Sequence, residues 1–397
     1  MDSEQATTVL LRSARIVLPD RVLEKGDLLI EAGRIAQVIS DGGATPVARV
    51  THELTGLTLY PGMIDIHIHG AVGIDTMTAS KDDLVSVSGF LAANGVTAWV
   101  PTLVPAPHSD YQTAVTAIEA AMTEEANEAR AHRARILGVH YEGPFVNAAQ
   151  CGALHASHFK SFSSEADIAA LPTPNVPGAV RLMTLAPEVE GGIDLTRELV
   201  SRGWVVSLGH TRADLERLEQ AFAAGAHHLT HFMNAMPPLH HRAPGPVGWG
   251  LSRAEVTFDL IADGIHLDPF VLRLLLQAKG AKRMMLISDA IAAAGKGDGD
   301  YEIWGETISV QDGRTSNASG SIAGSVITML NALRMIRSLN ASEVEAARMA
   351  STNPAKLLGL DQLGSIEVGK YADLVALDQQ GEVKFIMIEG QVVDARC

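Results

Sequence analysis

Between residues 61 and 362 the sequence alternates eight times between a short apolar run, typical of a buried strand, and a longer stretch with helical character. Alternating strands and helices form a parallel sheet, and eight such units close on themselves. The pattern therefore predicts an α/β fold, a (β/α)8 TIM barrel. The predicted strands begin near Met63, Val96, Ile136, Arg181, Trp204, His228, Val256 and Arg283. The predicted helices cover residues 80–94, 108–126, 164–170, 194–202, 212–224, 269–279, 325–339 and 341–351.

Both ends of the chain have a different pattern, in which short predicted strands are separated by glycine-containing turns. These strands cover residues 9–17, 27–31, 34–39 and 54–59 at one end, and 364–367, 374–377, 383–388 and 391–393 at the other. Two separate small sheets are one interpretation, but each would be only marginally stable alone. We therefore predict that residues 1–60 and 363–397 pair into one small β-sandwich domain, and that residues 61–362 form the barrel.

Composition excludes several classes of partner. The formal net charge of −15 argues against nucleic acid or an anionic membrane surface. Only two cysteines are present, Cys151 and Cys397, so a disulfide framework is not expected and a reducing compartment is the simpler assumption. No signal peptide is recognisable, and no apolar run approaches the roughly 18 residues of a membrane span. We predict a cytoplasmic protein.

Histidines and carboxylates occur at or just after the ends of five predicted strands, where they would not be stable in a purely apolar core. They are His67 and His69, Glu142, His210, His231 and Asp289. A buried polar group without a partner costs about 1–3 kcal/mol, so a shared polar centre is the economical explanation. In barrels the active site lies at these strand ends. Imidazole and carboxylate together suit zinc, iron, nickel or manganese.

The spacing of these residues suggests their individual roles. His67 and His69 flank one residue of a strand, so they face the same side and suit one metal, although two hydrogen-bonded histidines are the alternative. Glu142 either bridges two cations or pairs with a histidine. His210 and His231 are predicted ligands of a second cation. Asp289 is expected to take a proton from a metal-activated water, and a purely ligating role is the nearest alternative.

Two further residues are candidates for binding substrate. Arg242 lies in a long loop after His231, where a guanidinium would clamp a phosphate or carboxylate, or else form a surface salt bridge. His266 follows the predicted seventh strand and is placed to hold a substrate hydroxyl or carbonyl. Residues 320–325 are glycine-rich and are expected to close the loop after the eighth strand.

Taken in order, the motifs resemble those of the N-acetylglucosamine-6-phosphate deacetylases in the amidohydrolase superfamily. The matching segments are PGMIDIHIHG (61–70), HYEGPFVN (140–147), SLGHT (207–211), THFMNAMPPLHHRAPG (230–245), ADGIH (262–266), SDA (288–290), AGSVITM (323–329), NPAKLLGL (353–360) and GSIEVGKYADLVALD (364–378). The resemblance implies a barrel with a small β-sandwich, a homodimer, and release of acetate from N-acetyl-D-glucosamine 6-phosphate. It also implies one or two divalent cations per subunit, for which zinc and ferrous iron both suit the ligands.

The resemblance also implies a role for each matching residue. Glu142, His210 and His231 would hold the metal common to the family, and His67 and His69 would complete a second site. Asp289 would be the catalytic acid and base. The phosphate would be bound by Asn234, Ala235 through its backbone, and Arg242, while His266 would contact the sugar and the acyl carbonyl.

The sequence departs from the family pattern at one position. The family commonly has a histidine in a GAH-type segment that reaches the substrate, but here the segment is Gly152-Ala153-Leu154-His155. Either His155 compensates through a small loop shift, or that contact is missing. N-acetylgalactosamine 6-phosphate therefore stays an alternative substrate, as does a cyclic amide or an N-acyl amino acid. A non-catalytic scaffold is the third interpretation, but such proteins lose ligands that this chain retains.

Overall fold

The computed structural model describes residues 8–44, 46–127 and 133–393. Its centre is a sheet in which eight barrel strands pair in parallel, each with its neighbour in the chain. The predicted fold class is confirmed. The barrel strands are β1 (Met63–Ile68), β2 (Val96–Leu103), β3 (Gly138–Glu142), β4 (Val180–Leu185), β5 (Val205–Leu208), β6 (His228–Leu229), β7 (Thr257–Ile261) and β8 (Met284–Ile287). A two-residue strand, Arg135–Ile136, adds to β2.

Strands β8 and β1 approach each other where the sheet closes, and the bonds that join them lie at their carboxyl ends. The backbone N–H of Asp289 donates to the carbonyl of His67 over 2.9 Å, and that of His69 donates to the carbonyl of Ala290 over 2.8 Å. These bonds hold the residues that follow β8 against the residues that end β1. The two chain segments that carry predicted site residues are thereby fixed to each other by backbone.

Helices surround the barrel and connect its strands. The α-helices are Lys81–Ala93, His108–Asn127, Glu165–Ala169, Gly192–Ser201, Leu215–Ala223, Gly245–Ser252, Pro269–Lys279, Met329–Ser338, Glu343–Ala347 and Asn353–Leu357. A π-helical turn, Arg348–Thr352, links the last two, and 3-10 turns occur at Ala148–Gln150, Ala156–His158 and Ala281–Arg283. Among the described helices, none combines the length and apolar character needed to span a bilayer.

Two helix predictions need correction, and one helix was missed. The helix predicted over 325–339 begins at Met329, because Ser325 instead donates its backbone N–H to the carbonyl of Asp289 over 2.7 Å and Thr328 caps the helix. The helix predicted over 341–351 is interrupted by the π-helical turn. The helix Gly245–Ser252 was not predicted, since its three glycines disfavour a helix. At Gly250 a Cβ would lie 2.5 Å from the Cδ1 atom of Leu229, so a larger residue would displace that side chain.

Strands from both chain ends join one eight-stranded sheet. The strand Leu374–Leu377 pairs antiparallel with Thr58–Pro61, so the alternative of two separate small sheets is excluded. The remaining strands of this sheet are Thr8–Val17, Val22–Glu31, Arg34–Ser40, Val50–Glu53, Val383–Ile388 and Gln391–Val393. The sheet encloses an apolar cluster of its own, formed by residues from both ends of the chain.

Two strand predictions for this sheet were wrong. The strand predicted over 54–59 is replaced by two, Val50–Glu53 and Thr58–Pro61, with a turn through Gly56 between them. The segment predicted as a strand over 364–367 is irregular. Its position explains why: a Cβ at Gly364 would lie 2.6 Å from the carbonyl oxygen of Ser351, so the segment packs against a helix end and not along a strand.

A small antiparallel sheet is inserted between β8 and the last helices. Its strands are Gly299–Ile303, Glu306–Gln311 and Arg314–Ser316, and the first two are joined by a tight turn at Trp304. A further two-stranded ribbon, Gly70–Ala71 with Ile74–Asp75, follows β1. Both additions lie at the end of the barrel where the predicted site residues are found.

Candidate metal centre

The six residues predicted to form a polar centre come together at the carboxyl ends of the barrel strands. His67 lies in β1, and His69 follows it directly. Glu142 ends β3, while His210, His231 and Asp289 each stand two residues beyond the end of a strand, in that order after β5, β6 and β8. All six are buried. The convergence expected from strand ends in a barrel is thus observed.

One half of the centre consists of His67, His69 and nearby carboxylate oxygens. The two Nε2 atoms are 3.2 Å apart. Glu142 Oε1 lies 3.6 Å from His67 Nε2, and its Oε2 lies 3.3 Å from His69 Nε2. Asp289 Oδ1 is 3.4 Å from the first nitrogen and 3.3 Å from the second. The ligand atoms of His67, His69 and Glu142 could hold one metal ion.

The other half consists of His210 and His231 around the same glutamate. Glu142 Oε1 lies 2.9 Å from the Nε2 atom of each histidine, and the two Nε2 atoms are 3.1 Å apart. These three residues could also hold a metal ion. Because Glu142 belongs to both halves, a single carboxylate can bridge two cations, as one of the two sequence interpretations anticipated.

The hydrogen-bond chemistry of His210 fits a cation at this place. Its Nδ1 is 2.7 Å from the carbonyl oxygen of Gln150, which can only accept, so the hydrogen of a neutral ring lies on Nδ1. The lone pair of Nε2 then faces the carboxylate of Glu142 and the ring nitrogen of His231. A positive charge among these three atoms makes the arrangement favourable. An acceptor behind the ring is the usual way in which metal-binding histidines are oriented.

The pKa shifts of the buried residues also indicate that positive charge is favoured at this centre. Burial would raise the pKa of Glu142, but the charges of His67 and His210 outweigh it and hold this pKa well below its usual value. Burial would lower the pKa of His69, but its hydrogen bonds to Asp289 and Glu142 outweigh burial and raise the pKa to about 10. A centre that binds protons this strongly also suits a divalent cation.

Backbone conformation at the centre is unusual for residues other than glycine. The φ angle is 48° at His210, 32° at His231, 49° at Asp289 and 51° at Ala235. Such left-handed conformations are uncommon for residues with a Cβ and are held in place by the surrounding structure. These strained conformations occur together just after β5, β6 and β8. We infer that they are kept because they direct the side chains to the centre, although they cost local backbone stability.

Beneath the centre, a second layer of polar residues supports the first. Asp65 accepts hydrogen bonds from the hydroxyl and the backbone N–H of Ser288, and burial raises its pKa to about 6. Asp259 accepts the backbone N–H of His231, and its other oxygen lies 2.9 Å from His228 Nε2. The sequence interpretation of His228 as structural agrees with this contact, but Asp65 and Asp259 were missed. In the sequence, each could have been noticed as a carboxylate within an otherwise apolar strand.

The centre opens into a cavity of about 310 Å³. Its walls are formed by His69, Glu142, Gly152, Ala153, Leu154, His210, His231, Asn234, Ala235, Ile261, His266, Asp289, Trp304, Ser321, Ile322 and Gly324. Three of the residues predicted to bind substrate, Asn234, Ala235 and His266, therefore line the cavity beside the metal centre. Within the described residues, the side-chain Nδ2 of Asn234 is buried without a hydrogen-bond partner, so a donor is available to a ligand.

Two predicted substrate-binding residues do not line this cavity. Arg242 lies in an exposed loop, where its guanidinium contacts His241 Nε2 at 2.6 Å. The ring of His155 is turned away, with Nε2 2.9 Å from the carbonyl oxygen of Trp304, and Leu154 takes the place on the cavity wall. A small loop shift that would bring His155 to the centre is therefore not observed.

Two parts of the wall were not anticipated from sequence. The indole of Trp304, at the tip of the inserted hairpin, lies 5.2 Å from the ring of His69, measured between centroids. The glycine-rich segment 320–325 does close the loop after β8, and it also contributes Ser321, Ile322 and Gly324 to the cavity. Neither segment carries a metal-binding side chain, so nothing in its composition pointed to the site.

Comparison with known proteins places this geometry in a family. Residues 58–393 match the profile of the Amidohydrolase family. The chain belongs to that family. It is 36% identical to the N-acetylglucosamine-6-phosphate deacetylase of Bacillus subtilis, over 98% of this chain and 97% of that protein. It is also 36% identical to the N-acetylgalactosamine-6-phosphate deacetylase of Escherichia coli O157:H7, over 97% and 99% of the two chains.

A solved structure extends the similarity to three dimensions. A mutant N-acetyl-D-glucosamine-6-phosphate deacetylase from Mycobacterium smegmatis, in complex with N-acetyl-D-glucosamine-6-phosphate, superimposes with a TM-score of 0.86 at 30% identity. The match covers 98% of this chain and all of that one. The resemblance inferred from the sequence motifs is confirmed.

Proposed function

We propose that this amidohydrolase removes acetate from N-acetyl-D-glucosamine 6-phosphate and gives D-glucosamine 6-phosphate, a step of amino-sugar metabolism. The observation that carries the proposal is the shared carboxylate of Glu142 between two histidine pairs, with Asp289 beside it, at the bottom of a cavity of about 310 Å³. The similarity to N-acetylglucosamine-6-phosphate deacetylases over almost the whole chain supports this choice of substrate.

Glu142, His210 and His231 would hold one divalent cation, and His67 and His69, with Glu142, a second. Zinc and ferrous iron both suit such ligands. When bound, a divalent cation lowers the pKa of water and polarises a carbonyl group. The protein fixes the orientation of the ligand side chains. Glu142 stands at the end of a barrel strand, and the carbonyl of Gln150 holds the ring of His210 in place.

Asp289 is proposed to move the proton. Its Oδ1 stands 3.3–3.4 Å from two imidazole nitrogens of the centre, and the residue lines the cavity. A carboxylate there can take a proton from the attacking water and deliver it to the amine that leaves. Since an amine anion is a very poor leaving group, this second transfer is as necessary as the first.

Asn234 and Ala235, which line the cavity, are proposed to hold the phosphate. Fixing the phosphate would bring the amide to the centre, which contributes by orientation. Arg242 would have to leave His241 to take part in binding the phosphate.

We propose further that the protein is a cytoplasmic homodimer, and that residues 1–60 with 363–397 form one domain and residues 61–362 the other. The separate apolar cluster of the end sheet supports this division.

Acetate release from N-acetyl-D-glucosamine 6-phosphate tests the proposal, with the galacto epimer and unphosphorylated N-acetylglucosamine measured alongside. We expect the gluco 6-phosphate to be cleaved with the highest kcat/KM, and the activity to disappear on chelation and return with added metal. A higher kcat/KM for the galacto epimer would make that sugar the substrate. This second candidate is favoured by the E. coli relative and by Leu154 on the cavity wall.

A further inference from the structure

His266 lines the cavity, and Asp263 holds its ring from behind. The ring Nδ1 donates to Oδ2 of Asp263 over 2.6 Å. The other oxygen, Oδ1, accepts the backbone N–H groups of Ile265 and His266, each over 2.8 Å. Both side chains are almost entirely buried. The loop that follows β7 therefore presents this imidazole in one orientation.

The protonation of the pair determines what the imidazole can offer to a ligand. Burial would raise the pKa of Asp263, but the hydrogen bond from the ring of His266 and those from the backbone N–H groups of Ile265 and His266 lower it. Asp263 is thus a carboxylate, which only accepts hydrogen bonds. The Nδ1 atom of His266 must then carry hydrogen, and Nε2 is the ring nitrogen left for the cavity. In the neutral ring this Nε2 is an acceptor.

We propose that Asp263 is a positioning residue that fixes His266 in the Nδ1-protonated tautomer, so that Nε2 accepts a hydrogen bond from a hydroxyl or amide N–H group of the acetamido sugar. This inference rests on the proposed function and deepens it. It assigns to the neutral ring an acceptor role, whereas stabilising the acetyl carbonyl would require a donor. The choice between the two roles is made by a residue that does not line the cavity.

The substitution Asp263→Asn separates this role from a purely structural one. The two backbone N–H groups at the Oδ1 position select the carbonyl oxygen of the asparagine amide. Its NH2 group then occupies the Oδ2 position and faces Nδ1 of His266. Because the amide NH2 donates, Nδ1 must become the acceptor, and the hydrogen of the ring moves to Nε2. The loop keeps its backbone hydrogen bonds while the tautomer is reversed.

Asp268→Asn is the matched control, since it makes the same chemical change in the same loop. Asp268 caps the helix Pro269–Lys279 by accepting the backbone N–H of Phe270 over 2.7 Å, a bond that asparagine can keep. The ¹⁵N chemical shifts of both ring nitrogens would be recorded on histidine-labelled, metal-loaded protein. The signals of His266 are assigned by their loss in His266→Gln, and acetate release gives kcat/KM.

In the wild type we expect hydrogen on Nδ1 of His266. In Asp263→Asn we expect it on Nε2, with kcat/KM lowered about 10- to 100-fold by the lost hydrogen bond, and no such change in Asp268→Asn. An unchanged tautomer or an unchanged kcat/KM in Asp263→Asn would overturn the inference. Should that variant not fold, hydrogen on Nε2 in the wild type would overturn it equally. The tautomer is measured without substrate, so a failure of the proposed function would be recognised separately.

Discussion

Replacing Asp289 by asparagine removes one ionisable group and changes little else. The backbone of Asp289 makes the bonds that matter for the fold, donating to His67 over 2.9 Å and accepting from Ser325 over 2.7 Å. Asparagine has the same shape, and it tolerates the φ angle of 49° at least as well as aspartate does. We therefore expect the variant to fold with a melting temperature close to that of the wild type.

The expected loss of activity follows from the position of the carboxylate. Its Oδ1 lies 3.3–3.4 Å from the imidazole nitrogens of His67 and His69, so it would reach a water bound at the metal centre. General acid–base catalysis by a positioned side chain contributes about 10²- to 10⁴-fold. An amide cannot take the proton. We expect kcat and kcat/KM to fall together by about this factor, with KM nearly unchanged, because the group acts only in the transition state.

The assay is acetate release at saturating and at low substrate, together with metal content by mass spectrometry and the melting temperature. Asp300→Asn, which alters an exposed carboxylate bonded to Ser309, is the control for the substitution itself. An active Asp289→Asn enzyme would refute the proton-transfer role. A variant that loses metal along with activity would instead assign Asp289 to metal binding, which was the nearest alternative from the sequence.

Four other outcomes are expected. Chelation should abolish turnover and lower the melting temperature, because a ligand that binds only the folded state stabilises it, and both should return on adding zinc or ferrous iron. Unphosphorylated N-acetylglucosamine should show mainly a raised KM compared with the 6-phosphate in the same acetate assay. Arg135→Met should cost about 1.5–3 kcal/mol and lower the melting temperature by roughly 2–4 °C in calorimetry, since it removes the charged hydrogen bonds that Arg135 makes to Asp373 and Glu389. Gly138→Ala should prevent soluble expression, because its Cβ would lie 2.0 Å from a carbonyl of β4, whereas Gly89→Ala, in a helix with free space, should stabilise by about 0.5–1 kcal/mol.

The ends of the strands could be predicted because two independent rules agree on them. An apolar run that stops at a histidine or carboxylate marks a polar centre, and a parallel barrel brings its strand ends to one face. Together these rules place His67, Glu142 and His231 in one centre, as the structure does. The pairing of the chain ends was predictable as well, since either set of short strands would be only marginally stable alone.

The supporting carboxylates could not be found in the same way. Asp65 and Asp259 lie within apolar strands, and each is explained only by its partner, Ser288 for the first and His228 for the second. A usable signal existed for Asp65: it stands two residues before His67, so both side chains point to the same face of β1. A carboxylate that shares its face with a predicted ligand is better interpreted as support for that ligand than as an exception in a core strand.

Loop residues were the weakest part of the sequence interpretation, and the reason is physical. The direction of a strand-end side chain is set by its ladder, whereas that of Arg242 or His155 depends on what the loop packs against. The same dependence brought Trp304, from a hairpin inserted far along the chain, to within 5.2 Å of His69. Leu154, Trp304 and residues of the segment 320–325 therefore line the cavity, while the residues of the metal centre come from strand ends. It follows that exchanges in these loops should alter the choice between gluco and galacto substrates without altering metal content.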